Sequence, residues 1–161
     1  MPMTVSPSIG QIIAKYQASA PVNVVGIANE LGIKVWEKES LNPPVSGMIY
    51  LDKINGGKSG FSIIVRKGDS LERKRFTVAH EIAHFILHKD KASGGITDDA
   101  MYRSGLSTRE EAEANRLAAD ILMPYKLIRS LVSEGYKSMP ALAEKLGVSK
   151  TAMSIRLNIP T

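Results

Sequence analysis

The sequence predicts an α+β domain in which a small sheet, formed early in the chain, is followed by helices. Short apolar or alternating segments, typical of strands, span 33–36, 45–51 and 61–65. From residue 71 onward the apolar residues instead recur at helical spacing. The chain has 161 residues, 43% of them hydrophobic, so it can bury a core and fits one domain or one domain with a small helical appendage.

Turn and capping residues predict the boundaries of the elements in the first part of the chain. Residues 8–17 carry apolar side chains at the i, i+3, i+4, i+7 spacing of an amphipathic helix. Asn23 can cap a short second helix, which Gly32 ends. The glycine-rich segment 55–60 is typical of a turn, so the second and third strands are predicted to pair as a hairpin of a small antiparallel or mixed sheet.

The second half of the chain is predicted to be mostly helical. Ser70 can cap a long helix over 71–88, and residues 89–107 are interpreted as a loop. A capping box, with Glu110 or Glu111 near the third helical position, indicates a helix that begins at Ser107 or Thr108. That helix ends at 123–124, and shorter helices follow over 125–134, 140–146 and 149–157. We divide the chain into a main domain, 1–124, and a C-terminal helical subdomain packed on it, 125–161.

Composition excludes some kinds of site and leaves the partner open. The chain has no cysteine, which excludes disulfides and thiolate metal ligands. No segment approaches the ~18 apolar residues that cross a bilayer, and no secretory signal is recognisable, so we expect a cytoplasmic protein without a membrane partner. The net charge of +5 comes from scattered basic residues and does not decide whether nucleic acid is bound.

All three histidines lie between His80 and His88, and two of them form the pattern His-Glu-x-x-His. Because four helical residues rotate by about 400°, His80 and His84 project from one face, and their ring nitrogens can bind one ion. Glu81 is rotated by about 100°, which leaves it beside the open side of the metal, where it can accept a proton from bound water. The same pattern occurs by chance in unrelated helices, but the apolar flanks favour a metal because buried polar side chains need a partner.

A catalytic zinc usually has three protein ligands, and with no cysteine the third must be His88 or a carboxylate. His88 lies about 80° off the face of the other two histidines. We therefore interpret it as a residue near the cleft at the end of the helix.

Three carboxylates near the start of the following helix are candidates for the third ligand. Glu113 begins an apolar stripe with Leu117 and Ile121, Glu110 lies one turn earlier on a similar face, and Glu111 is predicted to point elsewhere. Spacing favours Glu113 only slightly over Glu110. Each of them is also explained as a solvated carboxylate near a helix N-terminus.

Two longer segments resemble the signatures of one family. Segment 75–88, RFTVAHEIAHFILH, resembles the active-site helix of the ImmA/IrrE family of metallopeptidases. Segment 111–124, EAEANRLAADILMP, is similar to the second signature of that family, with Leu117 and Ile121 where Phe and Leu are common. The resemblance extends over most of residues 20–157.

The resemblance implies a zincin-like minimal metallopeptidase with an active-site helix pair and a helix-turn-helix-like tail. It implies that His80 and His84 are metal ligands, that Glu81 is the catalytic acid and base, and that Glu113 is the third ligand. The expected metal is Zn²⁺, and Mn²⁺ is an alternative that the protein could use.

The resemblance also implies a substrate and a setting. Members of the family act on a helix-turn-helix repressor of the Xre, Cro or cI type, which they cleave or destabilise to switch genes on. The setting is a phage-like mobile element, a stress response or a toxin–antitoxin pair in which the repressor is the antitoxin. The alternative is a non-proteolytic module, which uses the same fold to capture a repressor or serves as a toxin component.

Two further groups of residues are candidates for contacts with a substrate or with DNA. Tyr102, Arg103 and His88 are candidate donors to the oxyanion or to the substrate. The C-terminal helix pair is typical of a helix-turn-helix, whose second helix would present to DNA a thin basic face formed by Lys150, Thr151, Ser154 and Arg156. Because this face is thin, direct DNA binding is not expected.

Overall fold

Two short, capped helices precede the sheet in the computed structural model, which describes residues 8–41, 45–92 and 107–159. Helix α1 spans Ile9–Tyr16 and begins with a capping box between Ser8 and Gln11. Helix α2 spans Val24–Glu30, where Asn23 Oδ1 accepts a hydrogen bond from the backbone N–H of Gly26. The second helix therefore begins at its predicted cap, Asn23, and the first lies within the predicted segment 8–17.

Three strands form a mixed sheet: β1 (Ile33–Lys38), β2 (Gly47–Leu51) and β3 (Phe61–Arg66). The order is β1-β3-β2, with β3 parallel to β1 and antiparallel to β2. The predicted hairpin of the second and third strands is confirmed. Strand β1 runs two residues beyond the predicted end because its pairing with β3 continues to Lys38 and Arg66. Strand β2 lies at an edge of this sheet.

The remaining elements are helices: α3 (Leu71–Ala92), α4 (Thr108–Leu122), α5 (Tyr125–Ser133), α6 (Met139–Leu146) and α7 (Lys150–Arg156). Helix α3 continues past its predicted end, because the segment Lys89–Ala92 is polar but contains no glycine or proline that would end a helix. The rest of the loop predicted there, 93–106, lies outside the described residues.

One buried cluster unites the sheet with the helices on both sides of residue 124. It includes Ile63 of β3, Ile82 of α3 and Ile121 of α4 together with Leu142 and Met153 of the C-terminal helices. The predicted α+β class is confirmed. The division at residue 124 stays a prediction. In the described part of the chain, no helix combines the length and the apolar composition needed to span a membrane.

Candidate metal centre

Helix α3 carries all three histidines on successive turns and is fixed at its start and along its inner face. Ser70 Oγ accepts a hydrogen bond of 3.2 Å from the backbone N–H of Arg73, so Ser70 caps the helix as predicted. Ala79, Ile82 and Ala83 are completely buried. The histidine-bearing face of α3 therefore has a defined position relative to the core.

The side chains of His80, His84 and Glu111 meet between α3 and α4. The Nε2 atoms of the two histidines lie 3.1 Å apart. Glu111 Oε1 lies 3.1 Å from His80 Nε2 and 3.2 Å from His84 Nε2. The three atoms form a nearly equilateral triangle.

This triangle has the size and the chemistry that a divalent metal requires. Ligand atoms about 2.0–2.1 Å from a tetrahedral ion are about 3.3 Å from one another, which is close to the separations seen here. Burial, together with the neighbouring His80, lowers the pKa of His84 to about 4. The imidazole of His84 is therefore neutral near pH 7 and offers a lone pair. The residues present fit a divalent metal.

The three carboxylates at the start of α4 make three different contacts. Glu110 completes the predicted capping box, since its Oε1 accepts from the Ser107 N–H at 3.0 Å and its own N–H donates to Ser107 Oγ at 3.1 Å. Glu111 faces the histidine pair. Glu113 Oε1 instead lies 3.3 Å from His88 Nε2. The structure thus differs from our expectation: Glu111, expected to point elsewhere, joins the two histidines, and Glu113, the implied third ligand, does not lie in that group.

The difference follows from the face of α4 that packs against α3. Ala114 and Ala118 are completely buried, whereas Leu117 is only partly buried. These alanines follow Glu111 at i+3 and i+7 and so share its face of the helix. The spacing argument relied on the larger Leu117 and Ile121, of which Ile121 is also buried, so it did not single out the face marked by the two small alanines.

His88 belongs to the interior of the helix pair. It is 3% exposed, and its Nδ1 lies 2.9 Å from His84 Nδ1. It is neither at the end of α3, which continues to Ala92, nor among the residues that line the cleft. The structure therefore places His88 inside the helix pair, in contact with His84 and Glu113, and not on the lining of the cleft. Tyr102 and Arg103, the other candidates, lie outside the described residues.

Glu81 and His80 line a cleft of about 490 Å³. The Glu81 side chain is buried, with 1% exposed. The cleft runs between α3, Asn115 of α4 and the start of the edge strand β2. Its lining residues are Val45, Ser46, Gly47, Arg66, Arg73, Phe76, Thr77, His80, Glu81 and Asn115.

Sequence reasoning missed two N–H donors in this cleft. Arg73 lies one helical turn before Thr77, and its guanidinium donates to Ser46 Oγ at 2.9 and 3.1 Å. Asn115 is exposed at the opposite side. The Glu-Ala-Asn part of the second signature could have indicated Asn115, whereas no sequence pattern singles out Arg73.

A larger, mainly apolar cavity of about 770 Å³ adjoins the cleft, with which it shares Arg73, Phe76 and Asn115. Its far wall is formed by α7, including Ala152 and Ile155. The tail is thereby joined to the space beside the candidate metal centre.

Two of the four residues predicted to face DNA are engaged within the chain. Ser154 is buried and donates from Oγ to the Lys150 carbonyl at 2.9 Å. Arg156 donates to the Met123 carbonyl at 2.8 Å and forms an ion pair of 2.9 Å with Asp120. The Ser154 bond lies within α7, whereas the contacts of Arg156 attach α7 to the end of α4.

Two packed helices of this small α+β domain present two histidines and a glutamate, and a further glutamate is buried beside them. This is the arrangement of a metal-dependent hydrolase. The chain belongs to the peptidase M78 family, described as the IrrE N-terminal-like domain, whose model matches residues 28–158. This confirms the resemblance to the ImmA/IrrE family, and the family name indicates a metallopeptidase.

Among solved structures, a Mycobacterium tuberculosis transcriptional regulator has the same fold, with a TM-score of 0.59 and 16% sequence identity. The match covers 94% of this chain but 46% of that one, so this chain spans less than half the length of that protein. No curated protein matches the chain.

Proposed function

We propose that this chain is a zinc-dependent endopeptidase that cleaves a helix-turn-helix transcriptional repressor. The observation that carries the peptidase part is the convergence of His80 and His84 with Glu111, next to a buried Glu81 that lines a cleft together with His80. Two ring nitrogens and one carboxylate oxygen suit Zn²⁺, and Mn²⁺ is the second metal that this donor set accepts.

The residues of the candidate metal centre and of the cleft have different roles in the proposed peptide hydrolysis. His80, His84 and Glu111 would hold the metal, which would polarise the substrate carbonyl and lower the pKa of a water molecule. The Glu81 carboxylate, buried beside His80, can accept a proton from the attacking water and pass it to the leaving amine. Arg73 and Asn115 carry the N–H groups that can stabilise negative charge on the substrate carbonyl.

An extended substrate segment can pair with β2, because this strand lies at an edge of the described sheet and its first residue, Gly47, lines the cleft. Addition of a strand at a sheet edge aligns the peptide through main-chain hydrogen bonds. The adjoining apolar cavity then offers space for side chains beyond the scissile bond. This arrangement supports a polypeptide substrate rather than a free amino acid.

The repressor as substrate rests on the family resemblance. The Mycobacterium tuberculosis protein of the same fold is named a transcriptional regulator, which connects the fold with gene control in that protein. The gene adjacent to the one that encodes this chain is the first candidate for the repressor.

The test mixes the purified full chain, zinc or manganese and the adjacent repressor, and follows cleavage by gel electrophoresis and mass spectrometry. Wild type is expected to produce two fragments from one cut. Glu81→Gln removes the proton acceptor while keeping the size of the side chain, and should leave the repressor intact. Glu134→Gln is a matched control, because Glu134 is exposed at the end of α5, and it should cleave like wild type.

The competing function is a non-proteolytic module that captures the repressor. If the repressor binds to wild type and to Glu81→Gln but stays intact with both, the peptidase proposal fails and capture is the function.

A further inference from the structure

The histidine pair is continued on α3 by a third histidine and on α4 by a second carboxylate. His84 Nδ1 lies 2.9 Å from His88 Nδ1, and His88 Nε2 lies 3.3 Å from Glu113 Oε1. His84 and His88 are 2% and 3% exposed. Because both rings are buried and no metal-binding group faces their Nδ1 atoms in the described residues, we interpret the contact between the two Nδ1 atoms as a hydrogen bond in which one ring donates and the other accepts.

We infer that His88 and Glu113 are positioning residues, which fix the proton and the orientation of His84 so that its Nε2 faces the metal. This inference rests on the proposed function in one respect, since it takes His84 Nε2 as a metal-binding atom.

The proton positions follow from one requirement. A ring nitrogen that binds a metal offers a lone pair, so the proton of neutral His84 must be on Nδ1. His84 Nδ1 then donates to His88 Nδ1. This leaves the His88 proton on Nε2, which donates to Glu113 Oε1. Each ring thus has one donor and one acceptor, and the chain of hydrogen bonds ends on a carboxylate, which is acceptor only.

The same chain of hydrogen bonds opposes the other neutral tautomer of His84. With the proton on Nε2, His84 Nδ1 would have to accept from His88 Nδ1, and the lone pair of His88 Nε2 would then face the Glu113 carboxylate, which is acceptor only. That tautomer would also place a hydrogen atom between His80 and Glu111, where the metal would bind. Glu113 therefore acts on the metal centre through two hydrogen bonds. Such partners of metal-binding histidines orient the ring and raise its basicity.

This inference also gives Glu113 a role that differs from ligation. Glu111 and Glu113 are two residues apart, which is about 200° of helical rotation. In the structure Glu111 reaches the histidine pair and Glu113 reaches His88. The neighbouring Arg109 contributes little, because its Nε lies 3.8 Å from Glu113 Oε2 and its side chain is 87% exposed.

The experiment measures the zinc affinity of the metal-free full chain by competition with a chromophoric chelator. His88→Leu removes both hydrogen bonds and should weaken zinc binding by about 10- to 100-fold. His88→Asn should lose less than His88→Leu, because its side-chain oxygen can still accept from His84 Nδ1. Glu113→Ala should also weaken binding, and Glu113→Gln less so, because its amide oxygen can still accept from His88. Arg109→Ala is the control and should bind like wild type.

The second measurement is the position of the His84 ring proton in the metal-free protein. If His88 had only a structural role, its replacement would not change that position. Nitrogen-detected NMR of the histidine rings should show His84 protonated on Nδ1 in wild type and a mixture of tautomers in His88→Leu. Urea unfolding of the same variants separates a change in stability from a change in metal affinity.

Two results would overturn the inference. The first is zinc affinity and His84 tautomer unchanged in His88→Leu. The second is complete loss of zinc binding in Glu113→Ala with normal binding in Glu111→Ala, which would make Glu113 a ligand. Failure of the proposed function is a separate result: wild type would bind zinc and the variants would show the expected series, but no repressor would be cleaved.

Discussion

Arg75, on the helix that carries the histidines, is joined to Gly147 at the end of α6. Its Nε donates to the Gly147 carbonyl at 3.1 Å, and its Nη2 donates to the Leu146 carbonyl at 3.2 Å. The last carbonyl groups of a helix lack partners within the helix and attract positive charge. Arg75 therefore ends α6 from outside and ties the C-terminal helices to the metal-binding helix.

Replacement of Arg75 should destabilise the fold without touching the site. Arg75→Met keeps most of the apolar stem and removes both charged hydrogen bonds, so we expect a loss of about 2–3 kcal/mol in the free energy of unfolding. Urea denaturation measures this loss. Arg129→Met, at an exposed position of α5, is the control, and an equal effect of the two variants would show that the contact with α6 is not stabilising.

Gly147 is needed for its backbone conformation and for this contact. Its φ is +67°, and a Cβ atom there would lie 2.7 Å from Arg75 Nε. We expect Gly147→Ala to destabilise the protein by about 1–3 kcal/mol, from left-handed strain together with displacement of the arginine. Gly68→Ala is the matched control, because a Cβ atom at Gly68 would meet nothing within 4 Å, and it should be nearly neutral. Thermal or urea unfolding that ranks the two variants equally would contradict this expectation.

Much of the fold could be predicted because its signals are local. Ser70 and Ser107 cap the helices that form the centre, and both caps are seen at the predicted residues. The hairpin of β2 and β3 follows from the glycine-rich turn between two apolar segments. The parallel pairing of β1 with β3 was not predicted, since it joins segments separated by residues 39–60 and no local pattern indicates it.

The third side chain of the centre could not be chosen from the sequence, because the choice depends on how two helices pack. Glu111 and Glu113 differ only in the direction in which they leave α4, and the face of Glu111 is the one on which Ala114 and Ala118 are completely buried. Helical periodicity weighs large apolar residues most, whereas this helix contact uses small ones. His88 lies one helical turn beyond the His-Glu-x-x-His pattern, so the pattern does not indicate its contact with the second histidine.

The cap of α4 should affect the metal centre, because Glu111 lies in the first turn of that helix. Ser107→Ala removes the hydrogen bond to the Glu110 N–H, and we expect a stability loss of about 1 kcal/mol together with weaker zinc binding. Ser138 caps α6 in the same way, since its Oγ accepts a hydrogen bond from the Ala141 N–H at 3.2 Å, and Ser138→Ala removes this cap. It should cost similar stability and leave zinc affinity unchanged. Equal zinc affinity in the two variants would show that the start of α4 does not position Glu111.

The stability of the metal-free protein should depend on pH through His84. Burial and the neighbouring His80 lower the pKa of this ring from 6.5 to about 4 in the folded state. Between these two values the unfolded chain binds more protons than the folded one, so stability rises with pH. The contribution is fully present above the unfolded pKa and is lost as the pH falls through the folded pKa. The shift corresponds to at most about 3 kcal/mol.

Urea unfolding of the metal-free chain at several pH values between about 4 and about 7 measures this contribution. Wild type should lose stability steeply toward acid, whereas His84→Gln, which has no ring to protonate, should give a flatter profile. Other groups also titrate in this range, and the comparison removes their effect because both proteins share them. Parallel profiles would mean that His84 accepts a proton as readily in the folded protein as in the unfolded chain. At weakly acidic pH its ring would then be protonated and could not bind a metal.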